Sequence, residues 1–573
     1  MVRGKGVSNG IALAEQFLVD AELTPRYEEA RDKSAELKML RAGREMAAEE
    51  LQSTIREAAS EFGQKEQEVF EAQLLLLDSD DLWKQAEKNV EENNQSAELA
   101  FHEAIEARIT MFSQLNSEYL RERVLDLRDI RQRVLRCMRR KDSCGDTRER
   151  SIILVGREIV PSQLMDRRNG RVRGLAMEAG GVTSHTVLLA NMMGIPCVVG
   201  AKGLLSQSAA GEDMIVNGFT GEITVSPNGE ERRCYQETHD RMVREEELDR
   251  SFIGRPDRAA DGTKIPLWCN IAAVRDVKQV LEHDSGGVGL MRSEFLFLGR
   301  QQAPDEEEQY TAYRQMADNL EGRPLIIRTL DIGADKQVSY LQLGEEENPA
   351  LGCRAIRYCL RHRELFLTQL RAILRAGADR DVRIMFPMIA SLTELRQAKA
   401  LLAEARDQLN RQGIPCRQDM PTGIMIEVPS AALMAEDFAA EADFFSLGTN
   451  DLTQYVYSAD RTNPTVSELN QPYGPALLRL VAQIAEKGNA ASITVAICGQ
   501  AGQDPLLLPL WLAMGIGELS VSPTSVLGLR RRLSHMTKAA CGALLERVLK
   551  MQTTQEVIDA LRAFQASVPE ESR

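Results

Sequence analysis

The first feature of the chain is a long stretch in which apolar residues recur every three or four positions. It runs from about residue 24 to residue 141 and is rich in Ala, Leu, Glu and Arg, with glycine and proline nearly absent inside it. This spacing places the apolar side chains on one face of a helix, and the composition favours uninterrupted helices. The pattern therefore predicts an all-helical subdomain of about four helices.

Shorter apolar segments of a different kind flank this helical block. Residues 1–20 contain an Asn-Gly turn between apolar stretches, which predicts short β structure. Residues 152–227 alternate strand-like segments such as SIILVG and IPCVVG with helical ones, and the segment DMIVNGFTGEITV has a glycine-rich turn between two strands. Residues 230–250 then contain 13 charged residues in 21, which is typical of a solvent-exposed helix between domains.

After Lys264 the pattern changes again, to short apolar runs that alternate with amphipathic helices. Eight runs read as strands: IPLWCNI, GVGLMR, PLIIRTLD, RIMFPMI, GIMIEVP, FFSLGTN, ITVAICG and ELSVSPT. Eight such units in roughly 300 residues are expected for a (β/α)₈ barrel. A doubly wound open sheet is the alternative, but such sheets have fewer strands, so we favour the barrel.

Composition narrows the class of protein. The net charge of −15 argues against a nucleic-acid partner, which would require a basic patch. Ten cysteines are scattered without metal-binding spacing, which favours reduced thiols in the cytoplasm. No apolar run approaches the ~20 residues that cross a bilayer, and the N-terminus lacks a signal-peptide pattern, so we expect a cytoplasmic protein without membrane insertion.

Charged and polar residues cluster at the expected carboxyl ends of the barrel strands, where such barrels hold their catalytic groups. They are Arg292, Arg328 with Asp331, Glu427, Asn450 with Asp451, and Cys498, followed in the next loop by Arg461. Arginine suits phosphate and carboxylate groups, and two carboxylates beside a phosphate suit Mg²⁺. Each arginine alone could be a simple ion pair, and Cys498 alone a buried apolar residue. Together they indicate a site for a small phosphorylated anion.

The segment GGVTSHTVLLANMMGIPCVVG places His185 in the first turn of a short predicted helix. Thr183 or Ser184 is expected as the N-cap, and Gly194 with Pro196 ends the helix. The positive end of the helix dipole disfavours imidazolium and would stabilise an attached phosphoryl group, by about 0.3–1 kcal/mol. A phosphorylated histidine and a capped structural histidine both fit this pattern.

These motifs together resemble a known family. GGVTSHT…GIPCVVG is similar to the phosphohistidine signature of the phosphoenolpyruvate-utilising enzymes. The motifs that follow are in the order found in Enzyme I of the bacterial sugar phosphotransferase system: GVGLMRSEFLFL, IIRTLDIGADK, ENPALGCRAIR, RIMFPMI, IEVPSAA, DFFSLGTNDLTQY, SADRTNP and ICGQAG. EAQLLLLDSDDL and DLRDIRQRVLR in the helical block resemble the carrier-binding subdomain of that family, so the likeness covers essentially the whole chain.

The resemblance implies a reaction in which phosphoenolpyruvate phosphorylates His185 at Nε2 and the phosphoryl group passes to a histidine of the carrier protein HPr, to drive sugar uptake. It implies that Arg292, Arg328 and Arg461 hold the phosphate and carboxylate of the substrate, and that Asn450 adds a hydrogen bond. Lys336 and Arg354 match further positions near the site.

The same resemblance implies that Glu427 and Asp451 ligate Mg²⁺ and that Cys498 protonates the enolate carbon as pyruvate forms. It also implies a multidomain α/β fold. A swivelling phosphohistidine domain spans residues 1–22 and 145–227, with an inserted helical HPr-binding subdomain at 23–144. A linker helix at 228–256 leads to a barrel at 257–573 that also forms a homodimer.

The chain departs from the family pattern around the histidine. Val182 and Asn191 stand where the family has arginines, and Glu158-Ile159-Val160-Pro161 replaces an Asp-x-Thr-Pro arrangement. Gln500 replaces an acidic residue and Gln73 a histidine. These changes suggest a divergent paralogue with a dedicated carrier or a regulatory role as the alternative function.

A dikinase or phosphoenolpyruvate synthase would share the histidine and barrel domains. Such an enzyme also needs an ATP-binding domain, and the helical block occupies that place in this chain.

Overall fold

The computed structural model divides the chain into two compact units, residues 1–243 and 244–573. The residues it describes are 1–19, 25, 32–61, 64–113, 118–139, 150–165, 171–181, 184–298, 300, 302–333, 338, 340, 341, 343, 344, 346–461, 463 and 465–567. Among them, no helix combines the length and apolar character needed to cross a membrane.

The first unit is built on an eight-stranded mixed sheet. Its strands are β1 Val2–Arg3, β2 Lys5–Ser8, β3 Ile11–Leu18, β4 Ile152–Gly156, β5 Val172–Met177, β6 Cys197–Val199, β7 Asp213–Asn217 and β8 Glu222–Val225. They lie in the order β1-β8-β7-β3-β4-β5-β6-β2. Strand β3 pairs in parallel with β4, which follows it only after the whole helical block, so the sheet closes across an insertion.

The helical block contains five described helices, one more than the pattern predicted. They are α1 Lys33–Glu61, α2 Gln64–Leu77, α3 Asp80–Asn93, α4 Ala97–Ser113 and α5 Glu118–Met138. Trp83 and Phe101 stack with their ring centroids 5.0 Å apart, and Leu51 and Val134 are fully buried in the same core. The apolar stripes of the sequence thus pack against one another, as the three- and four-residue spacing requires.

Three short helices and one long helix complete the first part of the chain. They are α6 Pro161–Met165, α7 His185–Met192, α8 Leu204–Gln207 and α9 Gly229–Arg250. Helix α9 has no buried residue, which confirms the predicted solvent-exposed helix. The division between the two compact units falls within it.

The second unit is a closed barrel of eight parallel strands. The strands are β9 Leu267–Ile271, β10 Val288–Arg292, β11 Leu325–Arg328, β12 Val382–Phe386, β13 Thr422–Ile426, β14 Phe444–Leu447, β15 Thr494–Ile497 and β16 Glu518–Val521. Each of the eight predicted segments overlaps one of them; six contain the whole strand, and β12 and β13 begin one residue earlier than predicted. The barrel is confirmed, and the open-sheet alternative is wrong because β16 pairs with β9.

Helices surround this barrel and bury its outer face. They are α10 Val277–Glu282, α11 Glu306–Asn319, α12 Ala355–Arg361, α13 Arg363–Ala376, α14 Leu392–Arg411, α15 Pro429–Leu433, α16 Ala435–Ala439, α17 Thr449–Tyr457, α18 Pro475–Ala490, α19 Leu508–Met514, α20 Val526–Ser534, α21 Lys538–Val548 and α22 Thr554–Ser567. A large apolar core lies between helices and strands, and a separate small apolar cluster fills the barrel interior.

A glycine sets the packing of that interior cluster. At Gly423 on β13 an ideal Cβ would overlap the ring of Phe444 on β14. We expect Gly423→Ala to lower the free energy of unfolding of the barrel by about 1–3 kcal/mol, because the Phe444 ring must leave its place. Urea unfolding monitored by Trp268 and Trp511 fluorescence in a Trp83→Phe background measures this.

Two variants make this test specific. Gly542→Ala is the matched control, because its Cβ would meet nothing within 4 Å in helix α21. It should stabilise the barrel slightly, by about 0.5–1 kcal/mol. Phe444→Leu combined with Gly423→Ala should recover part of the loss. A Gly423→Ala barrel as stable as the wild type would contradict the overlap.

Candidate active site

The predicted site residues of the second unit meet at one end of the barrel. Arg292 and Arg328 are the last residues of β10 and β11, Glu427 follows β13, and Cys498 follows β15. Asn450 and Asp451 lie in the first turn of α17, directly after β14, and Arg461 follows the same helix. Because the strands are parallel, these positions share the carboxyl end of the barrel.

Arg328 is buried and held by two carboxylates. Its Nη2 donates to Glu294 Oε1 at 2.7 Å, and its Nη1 lies 3.0 Å from Asp331 Oδ2. Burial lowers the pKa of this arginine, but the charges of Glu294 and Asp331 outweigh burial and raise the pKa above its ordinary value. The guanidinium is therefore permanently charged and fixed in orientation.

Asp331 also binds a second arginine. The Nε and Nη2 of Arg354 donate to its carboxylate at 2.9–3.1 Å, and Arg354 Nη1 donates to Asp451 Oδ1 at 3.3 Å. Arg461 Nη2 lies 3.8 Å from Asp451 Oδ2 and is partly exposed. The result is a continuous chain of alternating charges, which we call the charge chain: Glu294, Arg328, Asp331, Arg354, Asp451 and Arg461.

Arg292 differs from the arginines of the charge chain. Among the described residues, no carboxylate lies within ion-pair distance of its guanidinium. Burial, followed by repulsion from Arg328, lowers the pKa of Arg292. A partly buried cation that no described carboxylate neutralises attracts an anion, so Arg292 marks the place where a negatively charged ligand gains most.

Glu427 is fully buried beside two other carboxylates. Its Oε1 accepts from the Met388 backbone N–H at 2.6 Å, whereas no hydrogen-bond donor among the described residues reaches its Oε2. Burial and the charges of Asp451 and Asp331 raise the pKa of Glu427 to about 8. An unsatisfied carboxylate oxygen next to a second carboxylate is the donor set that suits Mg²⁺ with substrate and water as further ligands.

No larger metal cluster accompanies this pair. In the described part of the chain, no group of three or more His, Cys, Asp or Glu side chains is placed to hold an ion. Glu427 and Asp451 therefore fit a cation that takes its remaining ligands from substrate and solvent, as Mg²⁺ does.

Cys498 and Asn450 lie on neighbouring strand ends. The Cys498 Sγ donates to the Leu447 carbonyl at 3.6 Å, and burial raises the pKa of the thiol to about 11. Asn450 Oδ1 accepts from the Gln500 backbone N–H at 2.9 Å, so its amide group is oriented. A thiol with a raised pKa keeps its proton at neutral pH, and it suits proton donation better than nucleophilic attack.

His185 lies in the other unit, as the first residue of α7. Ser184 occupies the N-cap with an extended backbone, φ −62° and ψ 149°, but its hydroxyl makes no capping hydrogen bond. Ser184 is therefore the N-cap residue, one of the two that the sequence predicts, and the end of the helix before Gly194 is confirmed as well. The structure describes the backbone of His185 and not its side chain; Val182, Thr183 and Lys336 lie outside the described residues.

The substituted positions near α7 are bound into the first unit. Asn191 Nδ2 donates to the carbonyls of Val7 and Val187 at 2.9 and 3.0 Å, which ties α7 to β2. Thr186 Oγ1 donates to the Ile159 carbonyl at 2.6 Å. In the helical block, the buried Gln73 Nε2 donates to Asp126 and Asp129. These side chains act as structural hydrogen-bond donors here.

Glu294 of the charge chain is not among the site residues predicted from the sequence. Asp331 is among them, but without a predicted role. Glu294 lies in the run RSEFLFL, where a lone carboxylate among apolar residues is a signal that could have identified it. Asp331 was noted at its strand end, but its two arginine partners depend on side-chain packing. Both residues position arginines rather than facing a ligand.

Comparison with known proteins places this geometry in a family. Three family profiles match: the PEP-binding domain of PEP-utilising enzymes over residues 247–538, the N-terminal domain over 3–123, and the mobile domain over 149–221. The phosphoenolpyruvate-protein phosphotransferase of Priestia megaterium is 38% identical over 564 residues, covering 98% of both chains. The chain belongs to the phosphoenolpyruvate-protein phosphotransferase family of PEP-utilising enzymes.

Other members give the same result. The phosphoenolpyruvate-protein phosphotransferase of Bacillus subtilis strain 168 is 37% identical over 559 residues, 97% of this chain and 98% of that protein. A solution structure of Enzyme I is 30% identical and covers 42% of this chain and 100% of its own, with a TM-score of 0.36. The two phosphotransferases, 38% and 37% identical over 98% and 97% of this chain, confirm the resemblance of the motifs to the family over nearly the full length.

The charge chain makes a prediction about stability. Glu294→Gln keeps the hydrogen-bond acceptor for Arg328 but removes its charge. We expect a loss of about 1.5–3 kcal/mol in the unfolding free energy, since Arg328 stays buried with less compensation. Urea unfolding of the barrel measures this loss, and a cycle with Arg328→Met should show strong non-additivity.

The matched control is Glu321→Gln, whose exposed carboxylate lies 3.3 Å from Arg323. An exposed pair of this kind should change stability by less than about 1 kcal/mol. Equal losses for Glu294→Gln and Glu321→Gln would contradict the importance of the buried pair.

Proposed function

We propose that this protein transfers the phosphoryl group of phosphoenolpyruvate to Nε2 of His185, releases pyruvate, and passes the phosphoryl group to a histidine of HPr or an HPr-like carrier. The observation that carries the proposal is the set formed at the barrel mouth by the partly buried Arg292, the buried Arg328 and the buried carboxylate pair. It occurs in a chain 38% identical to a phosphoenolpyruvate-protein phosphotransferase. The reaction would drive sugar uptake.

The arginines account for substrate binding. Arg292 has no ion pair among the described residues and would bind the phosphate, with Arg328 fixed beside it by Glu294 and Asp331. Arg461, partly exposed, would approach the substrate from the loop after α17, and Asn450 would add one hydrogen bond. Phosphoryl transfer depends on aligning the reacting atoms and neutralising charge, and this set provides both.

The bond changes assign roles to His185 and Cys498. The bridging P–O bond of the substrate breaks, and Nε2 of His185 accepts the phosphoryl group. The leaving enolate takes a proton from the Cys498 Sγ at its methylene carbon and becomes pyruvate. The position of His185 at the start of α7 favours the neutral imidazole that attack requires, and it then stabilises the anionic product.

Glu427 and Asp451 would hold Mg²⁺, whose charge neutralises substrate phosphate oxygens when it is bound. The pair fits because Glu427 has an unsatisfied buried oxygen and a pKa raised by burial and by its neighbours. A bound cation would satisfy the free oxygen and would lower the raised pKa. The charge chain connects this pair to Arg354 and Arg328, so metal and substrate would bind cooperatively.

Partner and location follow from the family. The helical block at 23–144 would bind the carrier, the phosphohistidine domain at 1–22 and 145–227 would swivel between barrel and carrier, and the helix within 228–256 would link the domains. The barrel at 257–573 would form the homodimer, and the protein would act in the cytoplasm. The preference for one carrier over another would depend on Val182, Val160, Asn191 and Gln500.

Radiolabelling tests the proposal directly. With Mg²⁺ and [³²P]phosphoenolpyruvate, the wild-type chain should take up about one label per chain, and His185→Ala should take up none, because it lacks the acceptor nitrogen. His239→Ala, an exposed histidine on α9, is the matched control and should label normally.

Adding a panel of purified HPr proteins should then remove the label from the wild type. Label on His185→Ala at the wild-type rate would overturn the mechanism. Absence of label under every condition would support the regulatory alternative, and label that requires ATP would support a dikinase.

The raised pKa of Glu427 predicts how Mg²⁺ binding depends on pH. Below about pH 8 the folded protein holds a proton on this carboxyl. Mg²⁺ must displace that proton, so affinity should rise about tenfold per pH unit from pH 6 to 7.5 and level off above 8. Isothermal titration calorimetry in two buffers of different ionisation enthalpy measures both the affinity and the released proton.

Glu427→Gln is the informative comparison for this test. It should bind Mg²⁺ more weakly, with little dependence on pH over the same range. Proton release that persists unchanged in Glu427→Gln would assign the titrating group elsewhere.

A further inference from the structure

One side of the barrel interior is polar, whereas the rest of it is apolar. The apolar part contains Leu290, Ile326, Met385, Met425 and Phe444 together with Cys498. The polar part includes the buried Ser446 on β14 and four residues that we call the interior polar column: Cys498, Asn270, Ser520 and Glu518. Barrels of this type usually fill the interior with branched apolar side chains, so a connected polar set there requires an explanation.

Hydrogen bonds and strand register connect the column. Ser520 Oγ donates to Asn270 Oδ1 at 2.7 Å, and Asn270 Nδ2 donates to the Cys498 carbonyl at 3.1 Å. Ile497 on β15 pairs with Leu519 on β16, so the next residues, Cys498 and Ser520, lie side by side. Neighbouring strands are about 4.8 Å apart, which brings these two side chains into reach of each other.

Glu518 lies on the same face of β16 as Ser520, two residues earlier. Gly289 on β10 faces both. An ideal Cβ at Gly289 would lie 2.5 Å from Glu518 Oε1 and 2.7 Å from Ser520 Oγ. The carboxyl and the hydroxyl therefore both border the space that this glycine leaves open, although no hydrogen bond joins them in this structure.

Glu518 is buried without a matching partner. It is 4% exposed, and its Oε1 has no hydrogen bond within the described part of the chain. Burial raises the pKa of Glu518 to about 8, and Arg383 lowers it only in part, because Arg383 is itself bound to Asp381. Ala496 on β15 pairs with Glu518 and Gly289 on β10 approaches its carboxyl, and neither residue titrates. Glu518 thus carries a proton at neutral pH that it can give up.

The column ends near solvent on the side of the barrel opposite to the charge chain. Glu518 is the first residue of β16, and Arg383 is the second residue of β12, so both lie toward the amino-terminal end of the strands. The Arg383 side chain is 31% exposed and its guanidinium lies 5.5 Å from the centroid of the Trp268 ring. Arg383 is therefore a partly exposed group on the same side of the barrel as Glu518.

We propose that Glu518, acting through the Ser520 hydroxyl, returns to Cys498 the proton that this thiol gives to the enolate in each turnover. The inference rests on the proposed function. After Cys498 has protonated the enolate, its Sγ is a thiolate. The Ser520 O–H bond breaks as the new S–H bond forms, and Ser520 Oγ takes the proton of the Glu518 carboxyl, whose O–H bond breaks. Glu518 is left as a carboxylate and regains a proton from water at the barrel floor.

This route explains why the column lies behind Cys498 and not beside the substrate. A proton supplied through the mouth would need water next to the enolate and to the phosphoryl group, where water promotes hydrolysis. A supply from the floor lets the mouth stay closed while Cys498 is restored. The Ser520 hydroxyl, which donates to Asn270 in the resting structure, needs only a rotation of its O–H bond to serve as the relay.

An isotope experiment separates the relay from the rest of the reaction. The full chain with Mg²⁺, phosphoenolpyruvate and ¹³C-labelled pyruvate in D₂O should exchange carbon label between the two compounds. That exchange needs no new proton, because the thiolate recovers one from pyruvate in the reverse direction. Deuterium entry into the pyruvate methyl group, measured above the exchange of pyruvate in D₂O without protein, reports exchange of the Cys498 proton, for which the column is the proposed route.

We expect Glu518→Gln to slow deuterium entry about tenfold or more relative to carbon exchange, and Ser520→Ala to do the same. Glu518→Asp, which keeps a carboxyl, should restore much of the deuterium entry. Glu436→Gln removes an exposed carboxylate of the barrel and should leave both rates unchanged. In the wild type, deuterium entry should fall above pH 8, and in Glu518→Gln it should lose this dependence.

The outcomes distinguish the two levels of the proposal. If the wild type shows no carbon exchange, the proposed function itself fails. If carbon exchange is normal in the wild type and Glu518→Gln slows both rates in parallel, Glu518 has a structural role and the relay is overturned. Deuterium entry at the wild-type rate in Glu518→Gln overturns the relay as well.

Discussion

The structure of the active site depends on the burial of charges at the mouth of the barrel. Removing a guanidinium or a carboxylate from water costs several kcal/mol, and only well-placed partners offset that cost. Here Arg328, Asp331, Arg354 and Asp451 alternate in sign, each within hydrogen-bonding or ion-pair distance of the next. Substituting any one of these residues by an uncharged one would leave its neighbours buried with an uncompensated charge. The arrangement is therefore stiff before any ligand binds, which is the condition for electrostatic preorganisation.

Two charged groups at the barrel mouth lack a compensating partner of this kind within the part of the chain that the structure describes. We propose that these two groups bind ligands. Arg292 has no ion pair among the described residues, and Glu427 has an unsatisfied oxygen and a pKa raised to about 8. One is a cation that needs an anion, and the other is a carboxylate that needs a cation or a proton. A phosphorylated substrate with its metal satisfies both at once. In the proposed reaction the buried Cys498, whose thiol keeps its proton at neutral pH, would be the neutral acid that protonates the enolate as pyruvate forms.

Much of this could be predicted from the sequence, because the barrel follows a simple rule. Each strand is a short apolar run, and in a parallel barrel each strand end faces the same side, so Arg292, Arg328, Glu427 and Cys498 could be placed together before any coordinates. The hydrogen-bond and ion-pair partners of these residues could not be predicted from the sequence. Glu294 reaches Arg328 from a short turn after β10, and the pairing of β3 with β4 spans the helical insertion. Both depend on side-chain packing or long-range pairing, which leave no periodic signal in the sequence.

The interior polar column is a second feature that could not be predicted from the sequence. In the sequence, Glu518 and Ser520 belong to the run ELSVSPT, whose alternation predicts a strand with one polar face. That pattern is ambiguous, because an edge strand facing water would show it too. Only closure of the barrel, with β16 paired to both β15 and β9, turns the polar face inward and makes it an interior surface. A carboxyl on that surface is costly unless it is neutral, and burial raises its pKa enough to keep it so. A neutral acid that can still ionise, on the same strand face as a hydroxyl and beside the strand that leads to a thiol donor, is better explained by proton transfer than by stability, since an apolar residue would fill the same space at lower cost.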